Sequence, residues 1–259
     1  GSQKNNLPIH PYVLGVILGD GSLSQTNTPK VTNMDDFIFN KIENLGYSLG
    51  SIQSKENNQA WTRSVLGIHS QIKELGLGHK NSQNKFIPDI YKNSSIEDRF
   101  QLVQGLMDTD GYVDDKGVTY FDITSEQMCY DLQEILFSLG FTAKITTKQG
   151  RYKKNGVTVE CSTVYKMYIR GNLQEKLCSL PRKVERLRKK TVGNRIESIE
   201  YVGKDNATCI SVSGDRLFIT TDYIVTHNTM LCLMKNLDAI HDPHFKCAIF
   251  RRSQPELKR

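Results

Sequence analysis

Residues 102–113 read LVQGLMDTDGYV, and this stretch decides the fold. Leu102, Val103, Leu106 and Met107 recur at helical spacing, which predicts a buried helix. The helix is predicted to stop at Asp110-Gly111, because glycine is the usual exit residue through a left-handed conformation. Asp110 is out of place there. A carboxylate in the last turn meets the negative end of the helix dipole and is disfavoured unless a cation compensates. A divalent metal ion held by oxygen ligands is one such cation.

A second copy lies upstream, where residues 12–23 read YVLGVILGDGSL. Gly15 aligns with Gly105, Asp20 with Asp110 and Gly21 with Gly111, each pair 90 residues apart with no gap. One such helix alone would be an ordinary core helix with a polar end. Two copies in register predict a duplicated domain whose helices pair. Both stretches resemble the signature of the LAGLIDADG homing endonucleases. The second copy is the closer match, because the first carries Leu18 where that family often has an acid.

The rest of the chain bounds this reading. Its 259 residues can hold one or two cores, and 34 Lys and Arg against 28 Asp and Glu leave a net charge of +6, which suits a polyanionic partner. No apolar run approaches the ~20 residues that span a bilayer, and no secretory signal opens the sequence. The six cysteines form no Cys-x-x-Cys pair, which argues against zinc ribbons and a disulfide framework. A reducing, cytoplasmic setting of phage or prokaryotic origin is expected. Gly1-Ser2 resembles a cloning remnant, and residues 1–10 are expected to be that remnant and a linker.

In the first half, residues 11–100, Ser22 to Val31 is polar and turn-rich. A helix is predicted over Met34–Leu45, strands over Leu49–Gln53 and Ala60–Ile68, and a short helix over Ser70–Leu75. The second half, residues 101–190, repeats the order. A strand is predicted over Val118–Ile123 and a helix through Leu139 opened by a capping box at Thr124–Gln127. Strands follow over Phe141–Thr147 and Thr158–Ile169. Along them Lys144, Lys148, Arg151, Lys153, Lys166 and Arg170 alternate with apolar and aromatic residues, a pattern that suits a sheet laid in a DNA major groove.

The resemblance implies an α+β fold over residues 11–190, a pseudo-twofold duplicated αββαββα core with curved antiparallel DNA-binding sheets. It also implies chemistry. Asp20 and Asp110, with the carbonyls of Gly19 and Thr109, would hold two or three Mg²⁺ (or Mn²⁺) ions between the protein and the scissile phosphates. Lys85, in Asn84-Lys-Phe-Ile-Pro88, and Lys183, in Leu180-Pro-Arg-Lys183, match the family's active-site lysines. They would polarise water or stabilise developing charge. The implied partner is a long, nearly palindromic duplex DNA site bound by a monomer.

Residues 191–228 differ in composition. Strands are predicted over Arg195–Val202, Ala207–Val212 and Arg216–Ile224, leading into His227-Asn228-Thr229. This segment resembles the C-terminal splicing motifs of inteins, a small all-β element of the Hint type. Asn228 can cyclise on its own carbonyl, His227 can donate a proton to that cleavage, and Thr229 offers the receiving hydroxyl. Cys209 stands where many inteins carry aspartate. No N-terminal splicing half precedes the first signature, so splicing is expected to need an N-terminal intein fragment. Residues 229–259 resemble the segment after the P-loop of phage terminase large subunits, without its Gly and Lys, so no nucleotide binding is expected. The alternatives are a DNA-binding remnant that does not cut, and a self-processing fragment whose endonuclease insert is inactive.

Overall fold

The computed structural model describes residues 6–23, 28–53, 60–154, 157–188, 198, 200–201, 203, 212–213, 217–220 and 225–227. Contacts divide the chain into two units, Gly1–Gly193 and Asn194–Arg259.

The first unit is built on two helices, α1 (Pro11–Asp20) and α5 (Ile96–Thr109). Every residue of α1 from Pro11 to Leu18 is buried, so this helix has no polar face. It starts at Pro11, where the missing N–H costs nothing, and His10 Nδ1 accepts from the Tyr12 N–H. α5 begins at Ser95, whose hydroxyl caps the Asp98 N–H at 3.1 Å. The two helices meet backbone to backbone. A methyl group on Gly15 would lie 2.3 Å from the Leu102 carbonyl, and one on Gly105 would lie 2.2 Å from the Tyr12 carbonyl.

Each signature helix runs directly into a sheet. After α1 come β1 (Gly21–Ser22), β2 (Lys30–Asn33), α2 (Asp36–Asn44), β3 (Trp61–Ser64), α3 (His69–Glu74) and the single turn α4 (Asp89–Lys92). After α5 come β4 (Gly111–Val113), β5 (Thr119–Ile123), α6 (Glu126–Ser138), β6 (Thr142–Lys154), β7 (Val157–Arg170), a 3₁₀ turn and α7 (Pro181–Val184). The sheets are ordered β1-β2-β3 and β4-β5-β7-β6, with every pair antiparallel. The duplication reaches the strand register: Gly21 pairs with Val31, and Gly111 pairs with Phe121. It stays in step until α6, which is 13 residues long against 9 for α2. Phe121, Ile123, Ala143, Met167 and Ile169 turn inward to join Met128, Leu132 and Ile135 of α6 in the core.

Several expectations need correction. Gly21 and Gly111 do not take a left-handed exit, since neither has a positive φ. They are glycine because the chain turns sharply from helix into strand. A methyl there would lie 2.2 Å from the Ile17 carbonyl or 2.6 Å from that of Met107. The stretch read as turn-rich holds the end of β1 and the start of β2. Leu49–Gln53 contributes only isolated bridges, Leu49 to Val65 and Gln53 to Thr62. The cap of α6 is Ser125, one residue later than expected, while Thr124 donates to the Ser82 carbonyl. Ile9, within the expected linker, is fully buried and exchanges two backbone hydrogen bonds with the Tyr91 hydroxyl.

In the second unit a hairpin of β8 (Leu217–Ile219) and β9 (Val225–His227) is described, with Leu217 opposite His227. Most of the predicted 191–228 segment, including Cys209 and Asn228, lies outside the described residues, as do Thr229 and the rest of 229–259. Among the described residues no helix is long and apolar enough to cross a membrane.

The glycine contact is open to a direct test. Gly105→Ala should destabilise the protein by about 1–3 kcal/mol or more, because backbone atoms on α1 cannot swing aside. Urea unfolding measures it, and a loss below about 0.5 kcal/mol would contradict the close approach.

Candidate active site

The C-termini of α1 and α5 arrive side by side, and each is closed by a buried lysine. Lys85 Nζ donates to the carbonyls of Ile17 (3.3 Å), Leu18 (2.9 Å), Gly19 (3.2 Å) and Gly21 (2.7 Å). Lys183 Nζ donates to Met107 (2.7 Å), Asp108 (2.8 Å), Thr109 (2.9 Å) and Gly111 (2.6 Å), the same four positions of the second copy. Three of each four are carbonyls of the helix's last turn, and the fourth belongs to the first residue of the following strand. The cation expected at the acid-bearing helix end is therefore present, and it is lysine. Both side chains are only 5% exposed. Burial pushes the Lys85 ammonium down to about 8 against the pull of Asp110 and Asp20, and burial likewise lowers Lys183.

Asp20 and Asp110 are brought together at this floor, with their carboxyl groups within hydrogen-bonding reach of each other. Crowding by the protein, then the charge of Asp20 and the hydrogen bond to it, push Asp110 up to about 7, while Lys85 and Lys183 pull it down. One side of Asp110 is open to solvent, so the nearby Asp20 charge is the cause to rest on. Asp20 also accepts from the Asn33 amide, whose own oxygen takes the Asp35 N–H at 2.8 Å. Nothing in the sequence singled out Asn33, because its partner stands 13 positions back at the end of α1. A cavity of about 280 Å³ opens beside the acids, between Gly19, Lys85, Asp110, Asp122 and Thr124.

The donor set fits a hard divalent cation. Two carboxylates that repel each other and two helix-end carbonyls offer oxygen ligands only. The carbonyls of Gly19 and Thr109 already accept from the lysines, and each keeps a second lone pair. Among the described residues no group of three or more His, Cys, Asp or Glu could hold a metal. Remaining ligands would have to come from water or from a bound anion.

Beside this floor lies the outward face of β4-β5-β7-β6. Tyr112, Tyr120, Tyr168 and Lys144 stand in register across the four strands. The Tyr112 and Tyr120 rings are 4.8 Å apart, and those of Tyr120 and Tyr168 are 6.1 Å apart. Lys166 Nζ sits 3.6 Å from the Tyr120 ring centre and 3.8 Å from Asp122. Lys144, Lys148, Lys166 and Arg170 share this face. The register shifts between Gln149 and Arg151, where β7 carries an extra residue. Arg151, three residues beyond Lys148 on an uninterrupted β6, falls on the opposite face by simple alternation. The Lys153 side chain lies outside the described residues, as does that of His227, although both lie on strands.

Residues 97–180 match the family described as LAGLIDADG-like domain, which spans α5 to the start of α7. A search of curated proteins finds the replicative DNA helicase DnaB of Mycobacterium intracellulare, 28% identical over 232 residues, covering 87% of this chain and 36% of that protein. The chain thus spans about a third of the length of that relative. Among solved structures, I-DmoI in complex with DNA and Mn is similar at 15% identity, 66% coverage of this chain, 93% of that one, and a TM-score of 0.41. The N-terminal LAGLIDADG domain of DUF199/WhiA is similar at 11% identity, with 72% and 85% coverage and a TM-score of 0.42.

The paired acids make stability depend on pH. Between the ordinary carboxylate range and about 7, folded Asp110 keeps a proton that the unfolded chain releases. Its contribution is complete at low pH and lost as pH rises through about 7. Asp110→Asn should then stabilise the metal-free protein at pH 8 by about 1 kcal/mol, discounted for the open side, and by much less at pH 5. Urea midpoints at the two pH values measure this.

Proposed function

We propose that the chain is a metal-dependent, site-specific DNA endonuclease. The observation that carries this reading is the doubled helix end: two acids in contact, each beside a helix terminus closed by its own lysine. A divalent ion bound by Asp20 and Asp110, with the Gly19 and Thr109 carbonyls nearby, would supply Lewis acidity and a water deprotonated near neutral pH. Asp20 and Asp110 bring two negative charges to the place where phosphate oxygens would approach, so binding of DNA and of cations is coupled. Lys85 and Lys183 are held away from solvent by four carbonyls each. Their role is to fix the acids in place and to offset charge building on a phosphate, through field rather than contact. The tyrosine and lysine face would lie along the duplex, and the basic excess would favour its phosphates. Each half would serve one strand, so a monomer suffices.

Incubation with Mg²⁺ and duplex DNA spanning the coding junction without the intervening sequence tests the reading. Staggered double-strand cleavage is expected, and Asp110→Asn should slow it at least about 100-fold, or about 3 kcal/mol. Retardation of the duplex without any cutting would leave a DNA-binding remnant and sink the nuclease.

A second activity is favoured by the helicase match. Coverage of 87% of 259 residues exceeds the 193 residues of the first unit, so the similarity runs into the second unit within a protein named for another activity. This fits an element carried within a longer protein, while the splicing role proposed for His227, Asn228, Thr229 and Cys209 rests on the sequence resemblance alone. Mass spectrometry after adding an N-terminal intein fragment should show scission between Asn228 and Thr229. No scission, with the fragment bound, would remove this part of the reading.

A further inference from the structure

The N-cap positions of α2 and α6 are Asp35 and Ser125, 90 residues apart and so equivalent in the two copies. Neither reaches only its own helix. Asp35 makes no side-chain cap bond; its carboxylate takes the fork of Arg182, with Nε at 3.1 Å and Nη2 at 2.7 Å. Arg182 is the neighbour of Lys183. Ser125 caps the Met128 N–H and donates to the Lys85 carbonyl at 2.6 Å. Six residues on, a second equivalent pair repeats the arrangement. Lys41 of α2 donates to the Ser179 hydroxyl at 2.7 Å, and Asp131 of α6 accepts from the Ile87 N–H at 2.9 Å.

We infer that each half positions the other half's lysine: Asp35 of α2 holds Lys183 through Arg182, and Ser125 of α6 holds Lys85. The chemistry differs, an exposed bidentate ion pair on one side and a buried hydroxyl on the other, yet the positions coincide. Two different solutions at equivalent places show that the tie itself, and not one bond, is what the fold requires. Loosening one clamp frees one ammonium from its four carbonyls and leaves the other seated. The importance of this for catalysis rests on the nuclease reading above; the positioning itself does not.

The test labels the whole chain with an amine-reactive reagent and quantifies each lysine by mass spectrometry. Asp35→Ala should raise Lys183 labelling about 10-fold, as expected for easier local opening, with Lys85 unchanged. Asp35→Asn, which keeps the shape and removes the charge, should act in the same direction if the alanine protein fails to fold. Ser125→Gly, a tolerated N-cap, should raise Lys85 and leave Lys183 alone. Reversing the pair, D35R with R182D, should bring Lys183 labelling back down. Equal rises at both lysines, or no change at Lys183 in either Asp35 variant, overturns the inference. On supercoiled DNA with Mg²⁺, Asp35→Asn should accumulate nicked circles about 10-fold while DNA affinity stays constant. Crossed labelling with an uncut plasmid in the unsubstituted protein would retire the nuclease and keep the clamp. Normal cleavage with uncrossed labelling would do the reverse.

Discussion

Gly15 and Gly105 allow α1 and α5 to touch along their backbones, and the rest of the first unit depends on that contact. A methyl group at either position would overlap a carbonyl of the facing helix. With the axes this close, the two C-termini cannot avoid each other, and neither can Asp20 and Asp110. The arrangement gathers two carboxylates and two negative dipole ends in one place. Left alone, that concentration of charge would push the helices apart. Lys85 and Lys183 answer it from beneath, each spanning the last turn of its helix and the first residue of the following strand.

The same lysines explain how the site can be closed below and still carry two acids above. An ammonium wholly withdrawn from water is costly unless its protons are satisfied. Four carbonyls satisfy each, and the two acids lie just beyond. The acids are left above on the solvent side, crowded, mutually repelling and short of counter-charge. A floor that is saturated below and unsatisfied above favours whatever cation arrives from solvent.

Much of this was legible from the chain alone, because the duplicated Gly-x-x-x-x-Asp-Gly frame carries its own alignment. The pairing of the helices and the meeting of the acids follow from it, whereas both lysines were picked out by the resemblance of Lys-Phe-Ile-Pro and Leu-Pro-Arg-Lys to family elements. The reason for Gly21 and Gly111 was misread, since a glycine forced by a carbonyl one turn back looks the same in sequence as one forced by a left-handed turn. β1 and β2 escaped notice because strands of two and four residues leave no alternation to read. Asn33, Tyr112, Tyr120 and the Asp35–Arg182 pair were invisible for a different reason. Each matters only through a partner brought near by the fold, and Asp35 and Arg182 are 147 positions apart. Arg151 looked like its neighbours, yet it stands an odd number of residues from Lys144 and Lys148 on β6 and so faces the other way.

One difference between the copies reaches further than its size suggests. Asp108 is fully buried and takes the Tyr12 hydroxyl at 3.0 Å, with the Ser179 and Leu180 N–H groups on its other oxygen. At the equivalent positions the other copy has Leu18 for Asp108, and Leu102 stands where Tyr12 would recur. A pair made of two second halves would face each sunken acid with a leucine, and a pair of two first halves would leave two phenols with no acceptor. The two halves are thus fitted to each other as lock and key, and neither would pair as well with a copy of itself.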